Sequence, residues 1–317
     1  MSGLIIGLPS KGRLKEQVEG WLSDCGFRLD TAGGDRGYRA TVRGLPGAEV
    51  RLLSASDIAT ALDAGEIHLG VTGEDLLRER GEGLDARVML LRALGFGRAD
   101  LVVAAPQSWI DVETMADLDE VAAQYVAKTG RRLRVATKYG AQTRAYFSAH
   151  AVADYRIVES GGATEGAPAA GTAELIVDIT TTGATLAANG LKVLADGVIL
   201  KSQAQLAASL GADWTAAQLA GVRRLLGVVE ARSRARDLAA LVWPAEQDAP
   251  AEAATERFLA AGASRRPHGL LVGDQELFDA SAALGEAGVG PITVSRPAYV
   301  FEPVCAAADA LATRLAL

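Results

Sequence analysis

Cysteine is nearly absent from this 317-residue chain, which has only Cys25 and Cys305, one near each end. Two such distant thiols have neither metal-ligand spacing nor the pattern of a disulfide framework, and they read as small buried side chains. Histidine is almost as scarce. His68, His150 and His268 lie far apart without ligand spacing, so each reads as structural or surface. Long apolar runs are missing too: Leu101–Ala105 and Leu238–Trp243 are strand-length, well short of the roughly 20 residues a membrane span needs. The opening MSGLIIGLPSKGRL has no basic residue ahead of its short apolar stretch, which argues against a secretory signal. Positive charge is also in deficit, with 32 Lys and Arg against 39 Asp and Glu and a formal net charge of −7. That balance speaks against a general nucleic-acid surface but leaves room for a local basic pocket serving a small anion. Together these absences imply a cytoplasmic globular protein that engages neither membrane nor nucleic acid.

What the chain does have is apolar content of 49%, 35 glycines and a recurring strand–turn–helix pattern. Leu4–Leu8 reads as a strand, followed by a turn at Pro9-Ser10-Lys11-Gly12 and a helix over Leu14–Cys25 with apolar spacing at Leu14, Val18, Trp21 and Leu22. Val50–Ser54, Ile67–Thr72, Leu101–Ala105, Leu133–Ala136 and Leu175–Ile179 are further strands; Asp57–Ala64, Glu74–Arg80 and Ala141–His150 are helices between them. Strands alternating with helices predict an α/β fold with largely parallel sheets. One break falls near Ala104–Pro106 and another in the polar, proline-containing stretch 233–250. The expectation is two α/β lobes and a smaller C-terminal α/β unit.

The segment from Glu174 to Leu186 carries the most chemistry. A strand ends in Asp178, and Thr180, Thr181, Thr182 and Gly183 lead into a short helix through Ala184, Thr185 and Leu186. A loop of this kind directs backbone N–H groups and hydroxyls at one spot, a ready phosphate site, and glycine lets the backbone approach closely. Asp178 suits sugar hydroxyls or a metal held through water. A plain threonine-rich turn is the bland alternative. In LPSKGRL, Ser10 can cap the first helix, while Lys11 and Arg13 set two cations against a helix N-terminus, an arrangement the helix dipole opposes unless an anion lies nearby. Thr137-Lys138-Tyr139 offers another cation after a strand, and the glycine-rich turn Ser160–Glu165 ends in a carboxylate.

In this order the motifs resemble the ATP phosphoribosyltransferase family. They are LPSKGRL at 8–14, SDIATALDAGEIHLGVTGEDLL at 56–77, RVATKYGAQTRAYF at 134–147, GGATEGAPAAGTAELIVDITTTGATLAANGL at 161–191 and ILKSQAQL at 199–206. The resemblance spans roughly residues 4–235. It implies condensation of ATP with phosphoribosyl pyrophosphate (PRPP), the entry to histidine biosynthesis, with Mg²⁺ as cofactor. By the resemblance, Asp178 through Leu186 bind PRPP, with Thr181–Thr185 on its 5′-phosphate, whereas Lys11, Arg13, Gly73 and Glu165 line the cleft for ATP and the pyrophosphate.

The family's core resembles type II periplasmic binding proteins, which implies one lobe from 1–103 and 190–232, a second from 104–189, and a regulatory or assembly domain over 233–317. Gly140 and Arg98 depart from the family's usual proline and cysteine. Long members add an ACT-like domain that binds histidine as feedback inhibitor and builds hexamers from dimers, and Ala283–Ser295 looks like its helix and last strand. Short members use a separate regulatory subunit. The remaining readings are a bilobal solute-binding protein without catalysis, and a phosphoribosyltransferase acting on another base.

Overall fold

The computed structural model describes residues 3–31 and 38–317. The chain begins with β1 (Leu4–Pro9), α1 (Gly12–Asp24), β2 (Arg28–Thr31), β3 (Arg39–Arg43), β4 (Ala48–Leu53) and α2 (Ala55–Asp63). It continues through β5 (Leu69–Gly73), α3 (Glu74–Arg78), α4 (Leu84–Arg87) and β6 (Val88–Ala93). A second group comprises β7 (Ala99–Pro106), α5 (Met115–Thr129), β8 (Leu133–Thr137), α6 (Gly140–Ala149), β9 (Tyr155–Glu159), β10 (Leu175–Thr180), α7 (Ala184–Ala188) and β11 (Leu191–Ser202). Strand β12 (Ala204–Ser209) then returns to the first sheet.

The first sheet has the order β2-β3-β4-β1-β5-β12-β6 and the second β11-β7-β10-β8-β9. Both are mixed. Strand β1 runs parallel to β4 and β5, and β8 parallel to β9 and β10, while β7 and β12 pair antiparallel with their neighbours. The expectation of largely parallel sheets fails at β7 and β12, where the chain crosses between lobes and enters each sheet from the opposite end, and at β3, which pairs antiparallel with β2 and β4.

The apolar run 101–105 is explained by burial on both faces. Leu101, Val103 and Ala105 join a core with Val135, Phe147 and Leu175, whereas Val102 and Ala104 pack with Ile176, Leu186 and Leu191. Helix α5 begins at a capping box, in which the Thr114 hydroxyl accepts from the Asp117 N–H and the Asp117 carboxylate accepts in return, and it ends at Gly130 with φ 68°.

The lobe boundaries differ from the sequence-based ones at 103 and 190. Strands β7 and β11 lie side by side from Ala99↔Ser202 to Leu191↔Pro106, so both belong whole to the second sheet and the crossings fall at 94–98 and at Gln203. Pro106 marks the end of a strand, not the end of a lobe.

A separate compact unit comprises Ser23–Phe27 and Ala216–Ala312. It holds α8 (Ala216–Ala235), β13 (Leu238–Val242), α9 (Asp248–Ala260), β14 (Ser264–Arg266), β15 (Gly269–Gly273), α10 (Leu277–Glu286), β16 (Thr293–Ser295) and most of α11 (Ala306–Leu315). Its sheet, β14-β15-β13-β16, is antiparallel throughout. Ala239, Leu241, Leu270 and Val272 face Phe258 of α9 and Leu284 of α10 in its core. The long segment of this unit therefore starts at residue 216 and not 233, since the whole of α8 is grouped with it, and Ser23–Phe27 joins it from the N-terminal part of the chain.

Candidate functional site

Strand β10 sits between β7 and β8, with Leu175, Ile176 and Val177 fully buried. Burial ends at Asp178, which is half-buried, and Ile179 is exposed, so the strand delivers its carboxyl end to the surface. There the chain turns tightly. Gly183 has φ 74°, a left-handed conformation that favours glycine. The Gly183 N–H donates to Thr180 Oγ1 at 2.9 Å, the Ala184 N–H lies 3.4 Å from Thr182 Oγ1, and Thr181 Oγ1 donates to the Arg98 carbonyl at 3.4 Å. Leu186 is buried beside Val102 and Leu191 and anchors α7. The loop is thus shaped by its own hydroxyls. Helix α7 has only five residues, too few to contribute much of a helix dipole at the loop.

A cleft of about 310 Å³ opens at this loop, lined by Ala99, Glu165, Asp178, Ile179, Thr180, Thr181, Thr182, Thr185 and Leu186. Glu165 comes from the turn Thr164–Gly166, which is held by the buried Thr164, whose hydroxyl lies 3.0 Å from that of Ser160. The structure therefore brings Glu165 to the threonine loop across a sequence gap. Gly183 and Ala184 shape the loop without lining the cleft. Lys11 and Arg13 are exposed at the start of α1 and are not among its lining residues. Arg98, one of the two departures from the family pattern, meets the loop through its backbone carbonyl, a contact that any residue type there can make.

Gly73 has a different setting from the cleft. A Cβ there would come within 2.3 Å of Asp75 Oδ1, and Asp75 has no freedom to move away. Its carboxylate, 6% exposed, accepts from the Tyr139 hydroxyl at 2.7 Å and from the Ser202 hydroxyl at 2.8 Å. Burial, reinforced by the Asp75 charge, pushes the Tyr139 phenol far above its ordinary range, so it remains a donor. Close by, the Glu79 carboxylate accepts from the N–H groups of Ala141 and Gln142 in the first turn of α6, and the Gln142 amide donates to the Asp75 carbonyl. Residues 73–79 of the first lobe and 139–142 of the second are thereby bound together. Sequence reasoning missed this joint because its members are spread from 73 to 202, and no local pattern joins them.

A family model for ATP phosphoribosyltransferase matches residues 54–227, a span that contains the cleft and the joint. The chain belongs to the ATP phosphoribosyltransferase family. An ATP phosphoribosyltransferase from Caulobacter vibrioides is 69% identical over 312 residues, covering 98% of both chains. One from Bradyrhizobium sp. (strain ORS 278) is 58% identical over 236 residues, covering 74% of this chain and 73% of that one. Among solved structures, the ATP phosphoribosyl transferase (HisG:HisZ) complex from Thermotoga maritima aligns with a TM-score of 0.55 and 24% identity, over 72% of this chain and 96% of that one. This last likeness shows the shared two-lobed fold.

Proposed function

We propose that this chain joins ATP to PRPP, forming a bond between N1 of adenine and C1′ of the ribose as pyrophosphate departs. The observation that supports it most directly is the convergence of Thr180, Thr181, Thr182 and Thr185 with Asp178 and Glu165 in one cleft, in a chain near full-length in its likeness to the Caulobacter enzyme. In this reading the threonine hydroxyls and loop N–H groups take the 5′-phosphate. Asp178, at the strand end, accepts from the ribose hydroxyls. Adenine N1 is itself a nucleophile, so no serine or cysteine attacks, and the buried Cys25 and Cys305 are not required. The protein's contribution is alignment of two polyanions and relief of charge on the leaving pyrophosphate.

Among the described residues, the lining of the cleft carries two carboxylates and no lysine or arginine, so polyphosphates need positive charge from elsewhere. Lys11 and Arg13 are the proposed protein source. Among the described residues no three His, Cys, Asp or Glu side chains converge as a metal cage. That donor set suits Mg²⁺ coordinated mainly by phosphates and water, with Asp178 as an outer partner. When bound, Mg²⁺ would neutralise the pyrophosphate charge.

Assembly and regulation extend the reading. A dimer-based homo-oligomer is expected, up to a hexamer, with either histidine feedback through the C-terminal unit or a separate regulatory subunit. The C-terminal unit has a pocket of about 650 Å³ where Asp248 and Glu252 stand near Arg265 and Arg266, chemistry that suits a zwitterion such as histidine. No helix among the described residues is long and apolar enough to cross a membrane, and a reaction that consumes ATP and PRPP belongs in the cytoplasm. The test is pyrophosphate release by purified protein with Mg²⁺. Release should require both ATP and PRPP, and free adenine should not replace ATP. Failure to release pyrophosphate with the complete mixture overturns the proposal.

A further inference from the structure

The second lobe carries a cleft that the proposed reaction does not use. It has a volume of about 450 Å³ and is lined by Tyr125, Arg131, Arg132, Arg134 and Arg156. Four guanidinium groups gathered in one place are unexpected on a chain with a net charge of −7. The position is also distinctive. Arg131 and Arg132 immediately precede β8, and Arg134 and Arg156 are register partners on the parallel strands β8 and β9. The cleft therefore lies at the start of these strands, whereas the threonine loop leaves the finish of the parallel strand β10.

The local charges do not cancel. Arg134 is fully engaged by Glu174, with Nη2 at 2.6 Å from Oε1, while Tyr125 donates to the same carboxylate at 3.2 Å. Arg132 has a looser partner, Asp154, at 3.7 Å. Among the described residues, Arg131 and Arg156 have no carboxylate within 4.0 Å. Four cations against two carboxylates leave an excess of about two charges in a cleft of ligand size. The carboxyl end of α5 attracts cations and accounts for Lys128 and Arg131, at and just beyond its last turn; it does not account for Arg156, which lies on β9.

We propose that this arginine cleft is a second anion site, which takes the phosphate groups of a small polyphosphate or nucleotide. Guanidinium forks match phosphate oxygens in pairs, and two uncompensated forks fit two linked phosphates. Arg134, locked on Glu174, forms the rigid wall, and Arg131 and Arg156 are the groups free to close on the anion.

Calorimetry with inorganic pyrophosphate at low salt, on the full chain, tests the assignment. The wild-type protein should bind two equivalents. Arg131→Gln with Arg156→Gln should keep the fold, because neither side chain is tied to a carboxylate, and should lose one binding class by tenfold or more in affinity. Lys11→Gln with Arg13→Gln should remove the other class, at the proposed subsite for the leaving pyrophosphate. If that variant leaves both classes intact, the Lys11 and Arg13 reading fails while the cleft stands. If the Arg131 and Arg156 variant retains two unchanged classes, or the wild-type protein shows a single class removed by the Lys11 and Arg13 variant alone, the cleft proposal is overturned. Titration with ADP separates the sources: affinity above that of pyrophosphate means a nucleotide is held, and equal affinity means only its phosphates are. Citrate binding the cleft as tightly as pyrophosphate overturns the phosphate assignment.

Discussion

At the residue scale the threonine loop separates two kinds of constraint. Thr182 lines the cleft and its hydroxyl lies at the edge of hydrogen-bond reach from one loop N–H, so under the proposed function Thr182→Val removes a donor to the 5′-phosphate and leaves the backbone conformation available. A charge-assisted hydrogen bond contributes about 1.5–3 kcal/mol, so PRPP affinity should fall roughly tenfold to a hundredfold with little change in melting temperature. Calorimetry on the folded variant decides it, and unchanged affinity removes Thr182 from the site. Gly183→Val is a different experiment. Its Cβ would meet nothing within 4 Å, but a β-branched residue at φ 74° carries backbone strain of about 1–2 kcal/mol or more, so this variant should lose stability as well as affinity.

His68 is the residue whose role the structure defines most sharply. It is 4% exposed, its Nδ1 accepts from the Ile5 N–H at 3.1 Å, and its Nε2 lies 3.1 Å from the Asp213 carbonyl, which makes Nε2 the protonated nitrogen. Trp214 packs edge-on against it at 4.9 Å. Burial lowers its pKa below the ordinary 6.5 despite the raising influence of Asp213. The unfolded chain therefore binds the proton more readily, and stability must rise with pH across that window. Urea unfolding should show the contribution intact above pH 6.5 and diminishing below it. His68→Gln should flatten that part of the profile, and an unchanged profile would remove His68 as its source.

At the scale of elements, the joint between α3 and α6 is the feature with the clearest energetic consequence. Tyr139→Phe deletes the hydroxyl that satisfies Asp75 Oδ2 and leaves a buried carboxylate short of one donor. The cost should be about 1–3 kcal/mol, read as a lower urea midpoint. Gly73→Ala should act on the same joint, since its Cβ would collide with the pinned Asp75 carboxylate. Helix α1 gives the contrasting case. Lys11 and Arg13 are exposed at its start, so changing both to Gln should spare stability. If they face the substrates, kcat/KM should drop by roughly tenfold or more. Full activity in the double variant would make them ordinary surface residues.

The elements also mark how far local pattern can be read. The buried strands at 4–9, 101–105 and 175–179 are legible because apolar runs of strand length bounded by Gly, Pro or polar turns have few alternatives. Strands β2, β3, β6, β9, β11, β12 and β14 escape the sequence reading. Strand β3 alternates exposed and buried residues through Arg39, Thr41 and Arg43, a weak signal, and β12 has six buried residues but small ones, Ala204, Ala207 and Ala208 among them. Parallel or antiparallel pairing is invisible in the sequence, because it depends on which end of a sheet the returning chain enters.

For the whole molecule, the boundary of the C-terminal unit governs any dissection. Helix α8 buries Leu219, Val222, Leu225, Leu226 and Val229 and is grouped with residues up to 312. A chain ending at Arg232 keeps most of α8 but loses β13 to β16, so its apolar face should be left bare and the product should aggregate. Ending the chain at Thr215 removes α8 as well and should give the more soluble product. Light scattering on the two truncations checks this, and equal behaviour would show that α8 is stable without β13 to β16. The same two proteins, assayed for pyrophosphate release, test whether catalysis resides before residue 216.

The amino-acid order by itself determined the α/β class, the strand ending in Asp178, the threonine turn after it and the family motifs, because each is a short-range pattern of apolar periodicity and turn chemistry. Only the tertiary structure decided that Glu165 joins the threonine loop, that Gly73 serves the buried Asp75, and that four arginines from 131 to 156 line one cleft. Those outcomes depend on sheet register and chain crossings, which bring together residues separated by many positions and leave no periodic trace in the sequence.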